Sequence, residues 1–138
     1  MFGENFQRLE SKPLASVGEH TVTLGIPSIK QKGMYTWLEV PIIYENAEEL
    51  EPSSFSLFEA VDKNDKKQVD DFNRRATAIF DCFDIENNFD PKRFPLWKGK
   101  RGKIIVGEDK KGFLVVKKFI KCQAVIDRQA QRPELYQN

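Results

Sequence analysis

One stretch of helical period lies between two groups of strand period, and few architectures accommodate that order. Val69, Phe72, Ala76, Ile79, Phe80 and Phe83 recur at spacings of three or four residues, with one adjacent pair. They trace an apolar stripe along about five turns of helix over residues 65–85. Arg74, Arg75 and Asp81 are expected on the helix's other side, and Asn87 and Asn88 suit its termination. Before the helix, Val22, Leu24 and Ile26 alternate with Thr21, Thr23 and Gly25. Thr36, Leu38, Val40, Ile42 and Tyr44 then alternate with Tyr35, Trp37, Glu39, Pro41 and Ile43. A period of two places each set on one face of a strand, and the Leu38 set is the better core face. Residues 53–61 make a third strand around Phe55, Leu57 and Phe58. After the helix, residues 104–106 and 113–120 are apolar strands joined by a charged hairpin tip.

The turns refine this reading. Gly25 predicts a sharp bend in the first strand, and residues 30–33, with Lys30 and Lys32, are expected to form a turn. Pro41 cannot donate a ladder hydrogen bond, so the second strand is expected to be interrupted there. The order is strand, strand, strand, helix, strand, strand. Two strand groups about one helix need not close on themselves, but the five-stranded OB-type barrel has this order. The expected fold is therefore mainly β, a five-stranded OB-type barrel with one long helix between strands three and four. Its core would gather Val22, Leu24, Leu38, Val40, Ile42, Ile79, Phe80, Phe83, Ile104 and Val106. Residues 1–17 are expected to form an arm, 18–122 the domain, and 123–138 a mobile polar tail.

Charge is segregated along the chain. Residues 91–121 hold eleven Lys or Arg against two acids, while residues 1–62 hold four against ten, in a chain whose net charge is only +1. The basic segment also carries Phe94, Trp97, Phe113 and Phe119. Cations attract phosphates and aromatic faces stack on bases, so the combination points to single-stranded nucleic acid. The candidate contacts are Lys30, Lys32, Tyr35, Trp37, Phe58, Arg93, Trp97, Lys98, Lys100, Arg101, Lys103, Lys110, Lys111 and Lys117. A solvated lysine-rich hairpin over ordinary core aromatics explains the same composition. Trp37 has two readings as well. It is a stacking platform beside Lys30 and Lys32, or a second-core residue covered by Phe2 and Phe6 of the arm.

The chain offers little for catalysis. His20 is the single histidine, Cys82 and Cys122 are the two cysteines, and the eight glycines are scattered. Four-ligand zinc and glycine-rich phosphate loops are thereby disfavoured. No enzyme activity, cofactor or metal is expected, and the two thiols are expected to be buried and free. There is no apolar run of membrane-spanning length and no secretory leader pattern, so a cytoplasmic location without membrane partners is expected.

Several strings resemble a family of small phage and prophage proteins. Residues 18–24 (GEHTVTL) are similar to its "G-E-Y-x-V-x-I" opening, followed by a lysine-containing turn and strand at 32–40 (KGMYTWLEV). Residues 75–85 (RATAIFDCFDI) resemble its helix, and 94–100 (FPLWKGK) with 101–106 (RGKIIV) resemble its "F-x-x-x-x-G-K" approach to a basic strand. The resemblance spans residues 18–121. Pro41 and the acidic connection at 46–52 depart from it, and residues 129–138 carry one acid where bacterial single-strand binders carry an acidic tail. The family lies among phage replication and recombination genes and is regarded as OB-type single-stranded DNA-binding. The resemblance thus implies a DNA-binding protein of phage replication or recombination, acting in the bacterial host's cytoplasm. RNA is a second candidate ligand, a homodimer and a recombinase or replication protein are further candidate partners, and a protein-docking module is the competing function.

Overall fold

Gly25 lets the first strand turn against the second. The computed structural model, which describes residues 1–46 and 48–136, forms β1 over Gly18–Leu24 and β2 over Ser28–Lys32 on either side of this bend. Both pair antiparallel with β3, Tyr35–Tyr44. β1 meets its far end, with Val22 opposite Tyr44 and Leu24 opposite Ile42. β2 meets its near end, from Ser28 opposite Glu39 to Lys32 opposite Tyr35. At the bend the Gly25 N–H donates to the Pro41 carbonyl at 2.9 Å. A Cβ at position 25 would lie 3.0 Å from the Pro41 side chain, tighter than ordinary contact, so glycine suits the close approach.

Pro41 does not interrupt β3, contrary to expectation. Its missing N–H falls on the side of the bend, where β1 and β2 leave a gap in the ladder. The other correction concerns residues 30–33, expected as a turn. Residues 30–32 instead belong to β2 and the turn lies at Gly33 and Met34, so the long helix follows the fourth strand instead of lying between the third and fourth. Every residue of β2 is exposed and Ile29 is its single large apolar side chain. An edge strand of that kind carries no burial alternation for sequence to reveal.

β4 (Ser54–Phe58) pairs with the other side of β3, β5 (Arg101–Glu108) with β1, and β6 (Leu114–Ile120) with β5. All are antiparallel, and β5 carries a register shift between Ile105 and Val106 that bends it. The result is a curled, half-barrel sheet with helices packed on it. No ladder joins β4 to β6. That seam is filled by side chains: the Phe55 ring lies 4.8 Å from Phe119, edge to face, and stacks on Phe83 at 6.1 Å.

Helix α1, Lys66–Phe83, seals the seam. Asp65 caps it, its carboxylate accepting from the Lys67 and Gln68 N–H groups. The apolar stripe buries Ala76, Ile79, Phe80, Cys82 and Phe83. The helix ends at Asp84, in the left-handed conformation, before Asn87 and Asn88 are reached. A 3-10 segment, Pro91–Trp97, brings Phe94 and Trp97 into the core. The ten core residues expected from the sequence are all buried together.

The polar tail is helical over Gln123–Gln131, α2, with Val125 buried and Arg128 paired to Asp84. Ala47 of the acidic connection and residues 137–138 of the tail lie outside the described residues. Among the described residues no helix is long and apolar enough to cross a membrane.

The packing of α1 on β5 gives a direct check. A Cβ at Gly102 would lie 2.7 Å from the Phe83 ring and 2.8 Å from Cys82 Sγ, both buried. Gly102→Ala is expected to cost about 1–3 kcal/mol through overpacking, read as a lower urea midpoint. A midpoint equal to wild type would contradict this packing.

Candidate nucleic-acid interface

The parity of β3 decides which side chains reach solvent. Leu38, Val40, Ile42 and Tyr44 are buried on the inner face, so Tyr35 and Trp37 point outward. Register then aligns three strands. Lys30 on β2 stands opposite Trp37, which stands opposite Phe58 on β4, while Lys32 stands opposite Tyr35. The Trp37 and Phe58 rings stack at 5.2 Å with 29° between their planes. Tyr35 meets Phe58 edge-on at 6.3 Å. Tyr35 is 51% exposed and Phe58 49%, so each keeps a face for a ligand. Trp37 is half-buried, and Phe2 and Phe6 of the arm are themselves exposed and do not cover it. Among the described residues, neither Lys30 nor Lys32 pairs with an acid; Glu39 follows on the same face of β3. Three rings flanked by two unpaired cations can stack on bases and meet their phosphates.

The basic segment is arranged differently from what its composition suggests. Trp97 is 1% exposed, packed between Phe80 and Phe94, and presents no face to a ligand. Phe94 and Phe119 are core residues as well, which leaves Phe113 as the segment's exposed ring. Arg93 is held by Glu86, with bonds of 2.9 and 2.6 Å. Arg101 is held by Glu45, with bonds of 3.0 and 2.5 Å. Lys98 and Lys100 are exposed on the approach to β5, and Lys103 is exposed on it, opposite Thr21. Lys110 and Lys111 occupy the hairpin tip, where Asp109 accepts from the Lys111 and Phe113 N–H groups. Lys117 is exposed on β6 with its stem over Gly107. The structure therefore gathers Lys30, Lys32, Tyr35, Trp37 and Phe58 on one face and leaves the other cations along β5, β6 and their approaches.

Arg75, expected on the helix's polar side, instead lies between β4 and β6: Nε donates to the Ser56 carbonyl at 3.1 Å, and the guanidinium sits 5.1 Å from the Phe119 ring centre. Burial lowers its pKa. The signal was present in the spacing, since residue 75 follows Phe72 by three and precedes Ile79 by four, on the stripe's flank.

Cys82 and His20 are engaged structurally, whereas Cys122 is a free thiol only partly buried, not buried as expected. Burial pushes the Cys82 thiol up to about 12, which suppresses its thiolate. His20 Nε2 donates to the Ser16 carbonyl at 2.6 Å, and its ring meets Tyr44 edge-on. Among the described residues no three His, Cys, Asp or Glu side chains converge as metal ligands. Compared with models of known families and with curated proteins, the sequence matches none, and the phage resemblance rests on the strings quoted above.

Proposed function

We propose that this chain binds single-stranded DNA without sequence preference, on the outer face of β2, β3 and β4. The observation that carries the reading is the Trp37–Phe58 stack, half-open to solvent and continued by Lys30 in the same cross-strand row. The rings would stack on successive bases while Lys30 and Lys32 meet the phosphates. Stacking tolerates any base because every base has a π-face, which fits a site built around rings and cations. The pairing order supports an OB-type barrel: with β1 and β2 taken as the halves of one bent strand, five strands curl around the core. The phage resemblance supports a role in protecting or presenting single strands during replication or recombination, in the host cytoplasm, without catalysis or a cofactor.

The test compares dT, rU and duplex DNA of equal length at two salt concentrations. Single strands should bind and duplex should not, with affinity falling steeply as salt rises. Replacing Lys30 and Lys32 together by Gln should flatten the salt slope by about 1.4, at about 0.7 per phosphate contact on single strands. The matching double replacement of Lys110 and Lys111 should leave the slope close to wild type. A slope governed by the hairpin tip instead would move the interface to β5 and β6.

A second reading, a module that docks on a replication, recombination or defence protein, is favoured by the arm. Met1, Phe2, Phe6 and Leu9 are all exposed there. A mainly apolar protein interface would show little salt dependence and no binding of oligonucleotides.

A further inference from the structure

We propose that Arg75 is a phosphate-binding residue, and that the groove between β4 and α1 seats one phosphate of a bound single strand on its guanidinium. The inference rests on the reading above, in which the neighbouring aromatic face takes single-stranded DNA.

The groove continues that face. Tyr35 and Phe58 line one wall, Phe72 of α1 the other, and Arg75 borders it from the helix. Charge decides what the groove can hold. Its charged residues are Glu59, Asp71 and Arg75. Asp71 is engaged by Lys67 at 2.9 Å and by Arg74 at 3.3 Å, and Glu59 faces Lys63 at 4.0 Å. Arg75 is the exception, since among the described residues no acid pairs with it. Its protein partners are one carbonyl, that of Ser56, and the face of Phe119.

A guanidinium has five N–H donors, and Nε is the one directed at Ser56. Half-burial strips hydration from its charge, as the lowered pKa reflects, and no carboxylate compensates for that loss. An anion with several acceptor oxygens would compensate. Phosphate matches the planar fork in a bidentate fashion, which an ammonium cannot reproduce.

Position adds to the argument. Lys30 and Lys32 stand on the β2 side of the rings, and Arg75 stands beyond β4 on the opposite side. Cations on both sides of one aromatic row describe a strand that crosses β2, β3 and β4 toward α1, its bases on the rings. The basic hairpin of β5 and β6 is outside this path.

Arg75→Met keeps the aliphatic stem and removes the charge. Arg75→Lys keeps the charge and removes the fork. With oligo(dT) as probe, Arg75→Met should bind about five- to tenfold more weakly, with a salt slope shallower by about 0.7. Arg75→Lys should keep the wild-type slope and still bind several-fold more weakly. Thermal melting of the free proteins separates a second role, because a residue that only fills the seam would lower the melting temperature and leave affinity and slope unchanged. That result overturns the inference. Should Arg75→Met fail to fold, Arg75→Lys decides, and wild-type affinity in that variant sinks the proposal. If wild-type protein binds no oligonucleotide at either salt concentration, the single-strand reading itself fails. If wild type binds and both variants match it, only the role of Arg75 fails.

Discussion

Trp97→Ala should lower the stability of the fold by about 3–5 kcal/mol, a large part of the 5–15 kcal/mol typical of small domains. The expectation follows from burial and shape. Trp97 is among the largest fully buried side chains, with Phe80 at 6.1 Å and Phe94 at 6.0 Å, both edge to face. It sits at the end of Pro91–Trp97, where a repeat of three residues per turn puts Phe94 and Trp97 on one side of the segment. Removing the indole leaves a cavity between that segment and α1 that rigid neighbours cannot fill. Urea unfolding of the variant measures the loss. A cost below about 1 kcal/mol would mean that Trp97 is not the core residue described here.

Trp37→Ala should have the opposite signature. The indole lies on the outer face of β3 and its main ring partner is the half-exposed Phe58, so the domain should stay folded. Single-strand affinity should fall by about 1–3 kcal/mol, on the order of tenfold or more, because a stacking platform is lost. Phe58→Ala should weaken binding in the same direction, since Phe58 supports the Trp37 ring and offers a face of its own. Gel shifts with oligo(dT), made beside an unfolding curve for each variant, separate affinity from stability. Full affinity in a folded Trp37→Ala protein would remove this face from the site.

The two tryptophans show how far the sequence could be read. Trp37 lies in a ten-residue strand with regular alternation, so parity alone turned it outward and put Leu38 and Val40 inside. Trp97 lies among Lys98, Lys100 and Arg101 with no period to orient it, and its charged neighbours made it look like a ligand contact. Charge segregation was legible as a count but not as a surface. Arg101 meets Glu45 and Arg93 meets Glu86 through tertiary packing, which a local reading of sequence does not contain. The α1 stripe was plain because six apolar residues repeat its period, whereas β2 was hidden because an edge strand exposed on both faces has no apolar alternation. Arg75 was misplaced for a related reason: a charged residue on the flank of an apolar stripe is ordinarily assigned to solvent, and only the unpaired seam between β4 and β6 draws it inward.

The claim that bases stack on the outer face of β3 has a direct optical test. Tryptophan emission is recorded during titration with oligo(dT) at low salt, for wild type and for Trp37→Phe, whose remaining indole is the buried Trp97. Wild-type emission should be quenched on binding, and the quenching should disappear in Trp37→Phe while gel shifts still show a complex. Saturating oligonucleotide that leaves wild-type emission unchanged, or equal quenching in Trp37→Phe, would contradict the account.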